Sequence, residues 1–354
     1  MRCCWPCCCP AMACWGRPWP TRPALGWCCW AGWFISGLFG GRVVMLSPVS
    51  APLVTIVALC YNHAPYLRPA LDSIRAQTYP HLEVILVDDA STDGSAAILR
   101  EYAAANPTWQ LLLLPENLGN CRAFNQGLVR TRGEFVIDFA TDDVLLPERV
   151  AKQVAAFQQL PGSYGVVYSD AELIDEQGRV MRRHFRRDRQ GRILAPRPAS
   201  GWVFADVLRR YFISTPTMLM RRATLEALGG YDETLAYEDF DFWVRASRDW
   251  EFYLLDEVTT QKRRHPQAMS RRGYRPHDPY LASTIKVCQK ALLLCREAAE
   301  RQALAERVRW EMHQAARWRS FAGAWELYQL LHKLRAVQLS DQLLGGALRV
   351  LRWF

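Results

Sequence analysis

Between Pro52 and Phe139 the chain alternates short apolar runs with polar stretches of helical length, and no other feature restricts the fold as much. The run Leu53 to Leu59 is almost continuously apolar and β-rich. A strand buried on both faces needs that pattern, whereas a strand with one wet face alternates apolar and polar residues. The run predicts a strand ending at Tyr61-Asn62-His63, then a helix over Tyr66 to Gln77 and a second strand over Glu83 to Val87. A helix near Ser95 to Asn106, a strand near Trp109 to Leu114, a helix near Asn120 to Arg130 and a strand over Glu134 to Phe139 follow. Strand and helix in repeated alternation imply an α/β fold, a Rossmann-like and mostly parallel sheet flanked by helices. Ligands of such sheets collect beyond the carboxyl ends of the strands, where this chain places its polar motifs.

Farther on, Val166 to Tyr168 reads as a strand, the segment from Arg182 to Arg192 as a basic loop, and Trp202 to Arg210 as a helix. Another helix starts at Tyr237-Glu238-Asp239. Beyond Pro279, apolar residues at three- and four-residue spacing predict long helices over Cys288 to Trp310 and Trp325 to Val337. The expected organisation is a catalytic domain over residues 52–275 and a C-terminal helical extension over 279–354.

Half of the 354 residues are hydrophobic and 22% are charged, a globular composition. The net charge of +9 is concentrated in Arg182-Arg183-His184-Phe185-Arg186-Arg187 and the nearby Arg189 and Arg192. No aromatic-rich RNA-binding signature accompanies this run, so no nucleic-acid partner is expected and a solvated loop accounts for it. Eight cysteines crowd positions 3 to 29, while Cys60, Cys121, Cys288 and Cys295 serve the rest, a usage that fits a reducing, cytoplasmic setting. Residues 1–44 show no periodicity. Their clumped cysteines lack the spacing of a zinc site, and upstream translation ahead of Met45 is the favoured reading. Gly26 to Phe39 is apolar enough to resemble the core of a signal segment.

Three acidic motifs carry the chemistry. Val87-Asp88-Asp89-Ala90-Ser91-Thr92-Asp93 ends the second strand, where carboxylates can read a ribose or a base N–H, although helix capping selects the same residues. Phe139-Ala140-Thr141-Asp142-Asp143 ends the fourth. Paired carboxylates are costly unless a cation offsets them, and Mg²⁺ or Mn²⁺ shared with phosphate oxygens is the usual solution. Tyr237-Glu238-Asp239-Phe240-Asp241-Phe242-Trp243 mixes acids with aromatic residues. That mixture suits an acceptor sugar and a general base, and it also suits the acidic first turn of an amphipathic helix.

In this order and spacing the three motifs resemble glycosyltransferase family 2, of the GT-A fold, over roughly Pro52 to Ser270. Cys60-Tyr61-Asn62, Gln77-Thr78-Tyr79-Pro80, and Asn117 with Gly119, Asn125 and Gly127 match further pieces of the family pattern. The resemblance implies that Leu59, Tyr61, Asn62, Asp88, Asp89, Asn117 and Asp142 hold a nucleotide-sugar donor. It assigns Mg²⁺ or Mn²⁺ to Asp142, Asp143 and His265, and the role of general base to Asp239 with Glu238 beside it. Tyr237 and Trp243 would stack on the acceptor. Ala140 stands where the commoner family form has a further acid.

With one base and no covalent nucleophile in view, the implied reaction is a single displacement with inversion at the anomeric carbon, in glycan or cell-surface polysaccharide assembly. The acceptor would be a glycan or a lipid-linked sugar. A dehydrogenase is excluded because no glycine-rich loop follows the first strand, and nucleotidyl transfer is excluded on similar grounds. A non-catalytic nucleotide-sugar-binding scaffold is the alternative that Ala140 motivates. In the helical extension Trp310, Trp318, Trp325, Leu327, Leu330 and Leu331 suit either a peripheral contact with the inner face of the plasma membrane or packing on the catalytic domain.

Overall fold

The computed structural model describes residues 51–266 and 278–351, so the readings made of residues 1–44 lie outside the described residues. Strands β1 (Val54–Cys60), β2 (Leu82–Asp88), β3 (Gln110–Leu113) and β4 (Phe135–Ala140) are parallel and lie in the order β3-β2-β1-β4. Every residue of β1 is buried, as its uninterrupted apolar run requires. Its side chains alternate between two cores: Val57 and Leu59 face one, with Ile85 and Val87, and Ile56 and Ala58 face the other, with Val84 and Leu86.

Helices α1 (Ala64–Arg75), α2 (Ser95–Ala105) and α3 (Asn120–Leu128) are the crossovers between these strands. Gly127 lets α3 lie close to β1, since a Cβ there would sit 2.5 Å from Val57 Cγ1. From β1 the chain steps outward to β2 and β3, then returns to place β4 on the other side of β1. That reversal opens a crevice at the carboxyl ends of β1 and β4.

The rest of the sheet is mixed. After β5 (Val144–Leu145) and α4 (Arg149–Gln158) come β6 (Tyr164–Ile174) and β7 (Val180–Arg183). Helix α5 (Phe204–Arg209), β8 (Leu219–Arg221), α6 (Arg222–Ala227), α7 (Asp239–Ala246) and β9 (Glu251–Arg263) complete this part. The nine-stranded sheet continues from β4 through β8, β6 and β9 to β5, and β7 pairs with β6. The expected strand at Val166 to Tyr168 lies in the first half of an eleven-residue strand, and the basic segment begins within the exposed strand β7. The thirteen-residue β9 gave no apolar run because Asp256 and Glu257 are exposed at its middle and the residues buried beyond them, Thr259, Thr260 and Arg263, are polar.

Helices α8 (Pro279–Leu294), α9 (Ala298–Arg317), α10 (Phe321–Lys333) and α11 (Leu339–Leu351) follow. The helix expected over Cys288 to Trp310 is broken at Cys295, and α9 begins anew with a reciprocal capping box between Glu297 and Glu300. Leu327, Leu330 and Leu331 are buried in the core, whereas Trp310 and Trp318 are half exposed. The extension is tied to α7 and its approach: Tyr237 Oη lies 2.7 Å from Thr284 Oγ1, and Arg248 donates to Glu300 at 2.7 Å. Among the described residues no helix is long and apolar enough to cross a membrane.

Candidate active site

The crevice holds two adjoining chambers, of about 800 and 410 Å³, which share Asn120, Ala140, Asp142 and Tyr280 as walls. The larger is lined by the ends of β1 and β2 and by the loop before α3. Leu59, Tyr61, Asn62, Asp89 and Asn117 all border it, with His63 and Asp93. Tyr61 is 46% exposed and free to meet a planar ring.

Hydrogen bonds tie this wall together. Asp89 accepts from the backbone N–H of Leu118 and Gly119 at 2.7 and 2.9 Å, which fixes the loop leading into α3. Burial raises the Asp89 carboxyl, against the pull of those two amides. Asn62 adopts a left-handed backbone, φ 57°, and its Oδ1 accepts from Thr92 N at 2.7 Å, so the turns after β1 and β2 are joined. Asp93 accepts from Ala64 N and Ser95 N. Asp88 accepts from Ser91 N, lies beneath the turn and is 3% exposed.

At the junction of the chambers, Asp142 Oδ2 lies 3.0 Å from His265 Nε2, although 123 residues separate them. Burial alone would raise the Asp142 carboxyl, but the His265 hydrogen bond, helped by the nearby His63, holds it below the usual range. Asp143 is turned inward and accepts from Arg263 N at 2.7 Å. Burial, reinforced by the charge of Asp142, pushes its carboxyl well above the usual range. Among the described residues no three acidic, histidine or cysteine side chains form a metal cluster. Asp142 and His265 still fit a small hard cation that takes its remaining oxygens from a diphosphate and water, the habit of Mg²⁺ and Mn²⁺. His265 Nδ1 has no hydrogen-bond partner among the described residues, so the ring is oriented by the Asp142 carboxylate at Nε2 alone.

The smaller chamber is acidic on one side and aromatic on the other. Asp239, the first residue of α7, accepts from Thr215 Oγ1 at 3.1 Å and from Phe240 N at 2.6 Å. Glu238 accepts from Asn120 Nδ2 at 2.5 Å. Burial, with the charges of Asp239 and Asp138 added, pushes Glu238 up to about 8. Burial also raises Asp239. Asp138, inside β4, accepts from Tyr231 Oη at 3.0 Å and is pushed by burial up to about 7.

The sequence reading did not single out Asp138, although a lone acid within the apolar strand Phe135-Val136-Ile137-Asp138-Phe139 was a usable signal. Lys262, Thr215, Tyr211 and Tyr280 also border the chamber without local sequence signals. Trp243 lies elsewhere: it is 3% exposed and its Nε1–H points to Met218 Sδ at 3.2 Å. Tyr211, Tyr237 and Tyr280 supply the rings that face the smaller chamber.

A family model described as glycosyl transferase family 2 matches residues 55–226. The putative glycosyltransferase EpsE of Bacillus subtilis (strain 168) is 31% identical over 234 residues, 64% of this chain and 78% of EpsE. An uncharacterized glycosyltransferase of Rickettsia prowazekii (strain Madrid E) is 29% identical over 62% of this chain and 67% of its own length. The chain spans only 36% and 31% of two longer Rickettsia relatives. Among solved structures, residues 1–349 of S. aureus TarS in complex with UDP-GlcNAc superpose with a TM-score of 0.62 at 19% identity. That match covers 85% of this chain and 88% of the TarS chain, and it is a likeness of fold.

Proposed function

The chain belongs to glycosyltransferase family 2, and from that membership we propose that it transfers a sugar from a nucleotide diphosphate to an acceptor hydroxyl, inverting the anomeric carbon. One observation carries the reading: Asp142, at the junction of two chambers, separates the larger, hydrogen-bonded chamber of about 800 Å³ from a cluster of buried acids with raised proton affinity. The larger chamber takes the nucleoside, with Tyr61 against the base and Asp89 and Asn117 at the ribose side. A uridine nucleotide is the first choice, since TarS, of like fold, was solved with UDP-GlcNAc.

The acceptor enters the smaller chamber among Tyr211, Tyr237 and Tyr280, whose rings suit the apolar faces of a sugar. Asp239 takes the acceptor proton, and Glu238 beside it shares that duty only once it is ionised. The acceptor oxygen bonds to the anomeric carbon as the bond to the diphosphate breaks, and the bonding pair leaves with the diphosphate. Asp142 and His265 would hold Mg²⁺ or Mn²⁺, with Asp143 behind them; when bound, the cation neutralises the departing diphosphate. Most of the rate then comes from orientation and from charges fixed before the reaction starts. The cellular role we propose is glycan or cell-surface polysaccharide assembly on a glycan or lipid-linked acceptor.

The direct test is turnover of a panel of nucleotide sugars, UDP-GlcNAc first, with and without Mn²⁺. Release of nucleoside diphosphate from at least one donor is expected. Tight nucleotide binding with no turnover of any donor and any acceptor sugar would favour a non-catalytic scaffold.

A further inference from the structure

The helical extension contributes one charged side chain that the chemistry above leaves unused. Arg307, midway along α9, has a side chain only 5% exposed, and its partner Glu311 is fully buried one turn on. Its Nε lies 3.3 Å from Glu311 Oε1. That approach does not satisfy the guanidinium, because Arg307 Nε and Nη2 have no hydrogen-bond partner among the described residues. A buried ion pair of this kind adds little stability over apolar residues of the same volume. Its retention therefore calls for a second reason.

The reason lies in what the guanidinium touches. Its Cζ is 3.7 Å from the centre of the Tyr211 ring and 4.7 Å from that of Phe240. Tyr211 borders the smaller chamber, and Phe240 is the residue whose N–H bonds the Asp239 carboxylate. A planar guanidinium, always charged and weakly hydrated, can be stacked in such a place where an ammonium would be poorly served. We propose that Arg307 is a positioning residue for the acceptor side of the cleft: stacked behind Tyr211 and Phe240, it supplies a fixed positive charge to the Asp239 side of the chamber.

The inference rests on the reading of Asp239 as the base. Arg307 draws the Asp239 carboxyl toward ionisation, and so does Lys262 from β9. Opposing them, Glu238 lies next to Asp239 in the same turn, and Tyr237 and Tyr211 are the other titratable side chains that feel its charge. On this arrangement the extension is part of the active site, since it helps to set the fraction of Asp239 able to accept a proton at neutral pH.

The test needs no substrate. The full chain, labelled with ¹³C at the aspartate carboxyls, is titrated by NMR, and the Asp239 resonance is identified by its loss in Asp239→Asn. Arg307→Gln, which can still donate to Glu311, is expected to move the Asp239 midpoint up by more than the fitting error. Arg307→Lys keeps the charge and should stay closer to the unmutated protein than Arg307→Gln does. Glu311→Gln leaves the Arg307 charge uncompensated and should move the midpoint down. An unchanged midpoint in a folded Arg307→Gln overturns the proposal. If that variant does not fold, an unchanged or raised midpoint in Glu311→Gln overturns it equally. Failure of the transfer reading would be seen separately, as absence of turnover in the unmutated protein.

Discussion

The two walls of the cleft bond their carboxylates differently. On the nucleotide side, Asp88, Asp89 and Asp93 each accept at least one backbone N–H, and Asp89 accepts two from another segment. On the acceptor side, Asp138 has a tyrosine hydroxyl, Glu238 a side-chain amide and Asp239 a threonine hydroxyl with the N–H of its own neighbour Phe240, and the proton affinities of Asp138 and Glu238 rise to about 7 and about 8. Acids of the first kind hold loops in place. Acids of the second kind are crowded together at a cost in folding energy, and an enzyme retains such a cost where a proton must be moved near neutral pH.

Asp239→Asn tests this contrast most severely. Transfer should fall at least about a hundredfold, the scale for losing a general base. The melting temperature should hold or rise, because an acid whose ionised form is disfavoured by burial has been replaced by a neutral amide. Unchanged turnover would move the base elsewhere, with Glu238 the first alternative. Asp142→Ala comes next: Mn²⁺-dependent affinity for UDP, measured by calorimetry, should drop by about tenfold or more. Equal affinity with and without Mn²⁺ in the unmutated protein would leave the Asp142–His265 pair without a metal to hold.

The nucleotide side was far more legible in the sequence than the acceptor side. Four apolar runs and the turns between them predicted β1 to β4 to within a residue or two, because a strand buried on both faces writes its burial at almost every position. Asp142 and His265 meet across 123 residues, a contact made by β9, whose charged second half has no strand-like pattern of its own. Asp138 faces the chamber because of strand alternation in β4, and Trp243 faces the core because of its turn of α7. Those orientations depend on where each element sits in the sheet, which no local stretch of sequence records.

A third prediction breaks or upholds the other half of the contrast. Asp89→Ala removes the acceptor for two backbone amides and should lower stability by about 1–3 kcal/mol, read from urea unfolding. Asp89→Asn can satisfy only one of those amides with its carbonyl oxygen and should fall between. If both variants unfold like the parent protein yet lose nucleotide binding, Asp89 is a ligand contact first and a loop clamp second.

The smallest effect, and the most specific, is in the pH dependence of stability. Glu238 has a folded-state proton affinity near 8 against an ordinary value of 4.5, so the fold favours its protonated form. Its contribution is fully present below about 4.5 and is lost as the pH rises through about 8. Glu238→Gln cannot ionise, so its stability relative to the parent should grow across that window and level off above it. Asp232 gives the opposite control. Burial would raise its carboxyl, but the hydrogen bond from Lys290 outweighs that and holds it at about 2. Its contribution is present above the ordinary 3.8 and lost only as the pH falls toward about 2. Asp232→Asn should therefore differ from the parent by a constant amount from pH 5 to 9, in chemical unfolding at each pH. A flat profile for Glu238→Gln over the same range would mean that Glu238 is ionised at neutral pH and that the two walls do not differ in kind.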